Sequence, residues 1–195
     1  MREINYLKAV VIVHGKSEKQ ICDFVKQQLR MKIQVVSEKK GEKSIQITSL
    51  KNILNNKIYK NKPNFIREYP DIELDSQRKN ISPEFRIFII MDTDDCTEKQ
   101  KQEFTSKKMF EGHWAYEYIV PIFNSPQLES VLVKANVPFE KKDNKRKKEY
   151  IKIFPTDEKY IKSDVIQIDE LREKLKKIKE TNMDEFLEFC LKNSK

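Results

Sequence analysis

The chain has 195 residues, which suits one domain with a small appendage, and its 38% apolar and 10% aromatic content is enough to build a core of ordinary size. Lys and Arg number 39 against 31 Asp and Glu, and the resulting net charge of +8 favours polyanionic partners such as nucleic acid, although the Lys-, Asn- and Ile-rich bias of an A/T-rich genome gives the same excess. Three scattered cysteines, Cys22, Cys96 and Cys190, argue against a disulfide framework or a cysteine zinc cluster, and no apolar run nears the roughly 20 residues of a membrane span. The polar start from Met1 to Lys8, followed by a short apolar run, does not read as a signal peptide. A soluble cytoplasmic protein with reduced thiols and no membrane partner is expected.

Ala9 to Val13 is an unbroken apolar run of β-branched character, as in a strand buried on both faces. Ser17 with Gln20 forms a capping-box pattern, and Ile21, Phe24, Val25 and Leu29 make one helical stripe, so a helix is predicted from Ser17. Ile33 to Val36 reads as a second strand. Residues 38–43 contain Gly41 and read as a loop. Ile45 to Ile47 is a strand or an extended lead-in to a helix through Leu50, Ile53, Leu54 and Ile58. The stretch 59–83 carries Pro63, Pro70 and Pro83 without a clear period, and is predicted to be an irregular insert that holds at most a short helix.

Phe85 to Met91 is the strongest strand signal, and it ends in Asp92-Thr93-Asp94-Asp95. Thr97 with Gln100 starts a helix predicted to reach Met109. Tyr116 to Phe123 is a further strand, and Ser125-Pro126 is placed to cap a new helix. A basic run from Lys141 to Lys148 follows, with Lys145, Arg146, Lys147 and Lys148 as candidate nucleic-acid contacts; a solvated loop is the alternative. Two helices close the chain, one over 168–180 and one from Asn182. The alternation of strand and helix predicts an α/β fold, a mostly parallel sheet flanked by helices. The expected division is an α/β domain over 8–134 and a basic segment with a small helical C-terminal extension over 135–195.

Gly15-Lys16-Ser17 resembles the end of a phosphate-binding P-loop. That loop needs a glycine five residues earlier, where this chain has Val10 inside the strand, and only three glycines exist in all. Lys16 and the helix start remain candidates for a single phosphate. Asp92 and Asp94 in extended chain would point the same way, and paired carboxylates repel unless a cation sits between them. Mg²⁺ with oxygen ligands meets that need. Alternatively, the aspartates only end a strand and cap a helix. Ligands of open parallel sheets collect beyond the carboxyl ends of the strands, so neighbouring strands would bring His14 and Glu18 together with Asp92, Asp94 and Asp95.

The order of these motifs resembles the Toprim family: a strand ending in a glycine turn, an acid three residues past the glycine, and a later strand ending in Asp-x-Asp. The likeness runs from about Lys8 to Lys134, with Gly15, Glu18, Asp92 and Asp94 in the matching places. Glu129 is set against an acid that some relatives carry after a later strand. The resemblance implies a Rossmann-like Toprim fold and a metal-dependent nuclease of the overcoming-lysogenization-defect type, with a role in phage defence. It implies Glu18, Asp92 and Asp94 as Mg²⁺ or Mn²⁺ ligands and as catalytic residues together with His14. It also implies nucleic acid and a separately encoded ATPase as partners. His14 departs from the pattern, because the family carries a glutamate there. Histidine can ligate a transition metal or move a proton, mark an inactive binding or regulatory module, or serve structure alone.

Other candidates are His113-Trp114 with Tyr116 and Tyr118, as stacking surfaces or core, and Cys96, for which no partner base is identifiable.

Overall fold

The computed structural model describes residues 5–77, 79–143, 149–152 and 164–194. The fold is α/β and Rossmann-like. Its centre is an all-parallel sheet of β1 (Ala9–Val13), β2 (Ile33–Val36), β3 (Arg86–Asp92) and β4 (Ile119–Asn124), in the order β2-β1-β3-β4. Strand β1 pairs with β2 on one side and with β3 on the other, Val13 opposite Ile90. The chain therefore reverses its direction of winding between β1 and β3. That is the place where an open α/β sheet leaves a crevice at its carboxyl edge.

Alternation along β1 and β3 divides the core into two faces. Ala9, Val11, Val13, Phe88 and Ile90 point to one face. There they meet α1 (Lys16–Gln28), α5 (Leu128–Lys134), α6 (Asp164–Leu175) and α7 (Met183–Lys192) through residues such as Ile21, Val25, Val131, Leu171 and Phe186. The C-terminal helices thus complete one layer of the main core. Val10, Ile12, Ile87, Ile89 and Met91 point to the other face. They pack on α2 (Leu50–Leu54), α3 (Lys62–Glu68), α4 (Glu98–Thr105) and the loops between them.

Several local expectations change. Helix α1 begins at Lys16 with Gly15 as its extended N-cap. Ser17 lies inside the first turn, and Glu18 does the capping, its Oε2 accepting the Gly15 N–H at 2.9 Å. An acid at this third position meets a free N–H and the helix dipole, which Gln20 cannot do from the fifth. Residues 45–47 form no strand; a 3₁₀ turn over Ile47–Ser49 leads into α2. The Ser125–Pro126 bond is cis, and α5 starts at Leu128 behind an extended Gln127. Residues 116–118 are a 3₁₀ turn, so β4 starts at Ile119. Helix α4 keeps its expected capping box, Thr97 N–H to Gln100 Oε1 at 2.9 Å, but ends at Thr105; Lys107 is left-handed (φ 67°) and a 3₁₀ turn follows.

The stretch 59–83 contains α3, which Asn61 caps by accepting the Asn64 N–H at 2.9 Å. It buries Tyr59, Phe65, Ile72 and Ile81, so it is a wall of the core despite its lack of period. The basic run opens on β5 (Glu140–Asp143), which pairs antiparallel with β6 (Glu149–Lys152). Lys145, Arg146, Lys147 and Lys148 lie outside the described residues. Among the described residues no helix is long and apolar enough to cross a membrane.

Candidate functional site

A cleft of about 210 Å³ opens at the carboxyl edge of the sheet, over the crevice between β1 and β3. Its lining includes His14, Lys16, Glu18, Asp92, Asp94 and Glu129. Five residues singled out in the sequence, from two strand ends far apart in the chain, thus face one space. Parallel pairing explains this, because both strands stop at the same level and both of their following turns rise on the same edge.

His14 extends β1. Its N–H donates to Ile90 O at 2.8 Å, and its carbonyl accepts from Ile45 N–H at 2.7 Å. The residue is therefore clamped between β3 and the lead-in to α2. The 38–44 loop forms another wall with Gly41, Glu42 and Ser44. Gly41 sits at φ +86°, where a Cβ would lie 2.9 Å from Lys16 Cα. Only glycine lets this loop close on the start of α1.

Asp92, the last residue of β3, is 6% exposed. Its Oδ1 accepts from Leu128 N–H at 3.1 Å and from Asn124 Nδ2 at 3.3 Å. Asn124 is fully buried, and its own Oδ1 accepts from the Thr181 hydroxyl at 2.9 Å. That bond turns the Asn124 amide so that its NH₂ faces Asp92. Just beyond, Asn182 accepts the Phe123 N–H at 2.9 Å and donates to Pro121 O at 3.1 Å, which covers the free edge of β4. The segment before α7 thus orients an acid of the cleft through a chain of side-chain bonds.

The carboxylates crowd one another. Burial pushes the Asp92 carboxyl up to about 9, and the charges of Glu18 and Glu129 add to the rise. Burial also raises Glu18, which His14 opposes and Glu129 reinforces. Glu129, in the first turn of α5, accepts from the Ser17 hydroxyl at 3.3 Å, which ties the starts of α1 and α5 together. A cleft of this kind favours a cation, whether a proton, an ammonium or a metal. The donors are hard carboxylate oxygens, and Asp92, Glu18 and Glu129 each have one oxygen engaged by a protein donor. In donor chemistry the set fits Mg²⁺ or Mn²⁺. Among the described residues, however, no three His, Cys, Asp or Glu side chains are already grouped as a metal site.

The remaining candidates resolve into structure. Trp114 Nε1 donates to Tyr59 O at 2.6 Å, and its ring lies 5.2 Å from that of Phe65. Tyr118 stacks edge-on at 6.1 Å from Phe85. Both belong to the packed face of the core rather than to an open stacking surface. Cys96 donates weakly to Thr93 O at 3.5 Å, and burial raises its thiol pKa, so it is held as a thiol. Glu129 and the 38–44 wall are the parts of the cleft that sequence reasoning undervalued. Glu129 carried one signal: like Glu18, it is an acid in the first helical turn after a strand.

Comparisons with protein-family models, with curated proteins and with solved structures find no match to this chain.

Proposed function

We propose that this chain is a metal-dependent phosphodiesterase of the Toprim type that cuts DNA or RNA in phage defence. The observation that carries the reading is the convergence of Glu18, Asp92, Asp94 and Glu129 on one cleft at the switch point of the sheet. Burial first, and then the charges of Glu18 and Glu129, raise Asp92 to about 9, and a divalent cation is the natural counter-charge.

In this reading Asp92, Asp94 and Glu18 hold one or two Mg²⁺ or Mn²⁺ ions. A bound ion supplies Lewis-acid activation of a phosphoryl oxygen and of water. The chain supplies the rest. Leu128 N–H and the Asn124 amide fix the Asp92 carboxylate. Lys16, on the cleft wall, steadies a phosphate. His14 or Glu18 takes up and returns protons, and an imidazole beside the carboxylates favours Mn²⁺ over Mg²⁺. The excess positive charge of the chain draws a polyanionic substrate. A separately encoded ATPase as partner follows from the family resemblance alone.

A second reading is a catalytically inactive module that binds nucleic acid, a nucleotide or a protein partner. Two observations favour it: His14 stands where the family has glutamate, and no three-residue metal site is pre-assembled among the described residues.

Cleavage of single- and double-stranded DNA and RNA with Mg²⁺ or Mn²⁺ separates the two. The wild type should cut, and Asp92→Ala should lose at least about 100-fold in rate, the scale of several kcal/mol of metal-borne stabilisation. Absence of wild-type cleavage, or full activity in Asp92→Ala, overturns the nuclease reading. Nucleic-acid binding without tight divalent binding in calorimetry would support the second.

A further inference from the structure

Buried polar side-chain atoms nearly always find a partner, and each exception asks for an explanation. Among the described residues three such atoms have none: His14 Nδ1 and both carboxylate oxygens of Asp95. The exceptions are not scattered. They belong to two residues that follow adjacent, paired strands, and the two groups interact: the imidazole favours the ionised form of Asp95 against the cost of its burial. The Asp95 backbone N–H and the Gln46 side chain also favour the carboxylate, but neither oxygen is in hydrogen-bond geometry with them.

Position orders the pair. His14 lines the cleft and Asp95 is not among the residues that line it, so a bond between the two would be made on the side away from the cleft. A carboxylate behind a functional histidine selects its tautomer, because it can accept from only one ring nitrogen. The nitrogen without a partner is Nδ1.

We propose that Asp95 is a positioning residue that accepts the Nδ1–H of His14, directly after a small side-chain rotation or through one water, and so leaves Nε2 as an acceptor toward the cleft. This gives the histidine at position 14 a specific competence. A neutral imidazole with a free Nε2 lone pair can take a proton or bind a transition metal, as the glutamate of the resembling family would with an oxygen. What Nε2 then does rests on the nuclease reading. The tautomer does not.

The second histidine is a built-in reference. The chain has two. His113 Nδ1 accepts from Ala115 N–H at 3.2 Å and Nε2 faces Leu54 O at 3.2 Å, so Nε2 carries its proton. The two rings should therefore be opposite tautomers.

Long-range ¹H–¹⁵N correlation spectra of the full chain, without metal and near pH 8 where ordinary imidazoles are neutral, read this directly. Wild type should show His14 as Nδ1–H and His113 as Nε2–H. Asp95→Ala should shift the His14 tautomer ratio at least about tenfold toward Nε2–H, the scale of losing a charge-assisted bond. Asp95→Asn, which keeps an acceptor oxygen, should retain Nδ1–H, and His113 should not change in either variant. A wild-type His14 in the Nε2–H form overturns the proposal, as does an unchanged ratio in Asp95→Ala. If Asp95→Ala fails to fold, loss of the His113 signature reveals it, and loss of Nδ1–H in Asp95→Asn then overturns the proposal in its place. None of these readouts needs cleavage, so a failure of the nuclease reading leaves the tautomer result standing.

Discussion

The two histidines mark two ways of burying polar groups. Around His113 every such group is paired. Both ring nitrogens are engaged, Trp114 donates to the Tyr59 carbonyl, and the hydroxyls of Tyr59 and Tyr69 meet at 2.9 Å. Around His14 the groups are buried without satisfaction: an unpartnered Nδ1, an unpartnered Asp95 carboxylate, and acids that raise one another. The first region is built to hold the sheet. The second costs stability, and a cost kept at one edge of a well-packed sheet is the mark of a site.

This contrast can be broken by mutation, and the largest loss of stability should come from the paired region. Phe65 is fully buried, with rings of Tyr59, Tyr69, Phe85 and Trp114 centred 4.8 to 6.0 Å away. Phe65→Ala should destabilise by about 3–5 kcal/mol through lost transfer energy and the cavity left behind. Urea unfolding measures it, and a loss below about 1 kcal/mol would mean that the 59–83 stretch is not part of the core. Trp114→Phe keeps most of the packing but strands the carbonyl of a buried Tyr59. A loss of about 1–3 kcal/mol is expected, and a neutral result would show that water reaches that carbonyl.

The sequence carried the paired and unpaired regions unequally. β-Branched and aliphatic runs marked all four strands of the sheet, because a parallel sheet covered on both faces needs unbroken apolar stretches. Glu18, Asp92 and Asp94 were legible because each follows such a run. The 59–83 wall was not, since three prolines and aromatic packing replace a helical period there. Helix starts shifted for local reasons: Ser17 resembles a cap, but its hydroxyl is spent on Glu129, and Glu18 caps through Gly15. Glu129 joins the site because β4 ends level with β3, Asn124 opposite Asp92, a register that no local pattern reveals. Asp95 is one acid in a run, and no pattern in the sequence shows that its oxygens are buried without a partner while Asp92 faces the cleft.

An effect of opposite sign, which grows with pH, should come from the unpaired region. Asp92 has its folded pKa raised from an ordinary 3.8 to about 9, burial first and then Glu18 and Glu129. Below about pH 4 the carboxyl is protonated in folded and unfolded chains alike, and its contribution is fully present. Between about 4 and 9 the unfolded chain has released the proton that the folded chain keeps, so rising pH favours unfolding; by pH 9 the contribution is lost. Asp92→Asn removes this titration and keeps an oxygen that can accept from Leu128 N–H. Its melting temperature should match wild type near pH 4 and exceed it increasingly toward pH 9. Mn²⁺ at pH 8 should then raise the wild-type melting temperature and leave Asp92→Asn nearly unmoved, because only a cation bound to the folded state shifts the equilibrium. Parallel pH profiles for the two proteins would show that Asp92 is as comfortably placed as His113, and the contrast between the two regions would fail at its central residue.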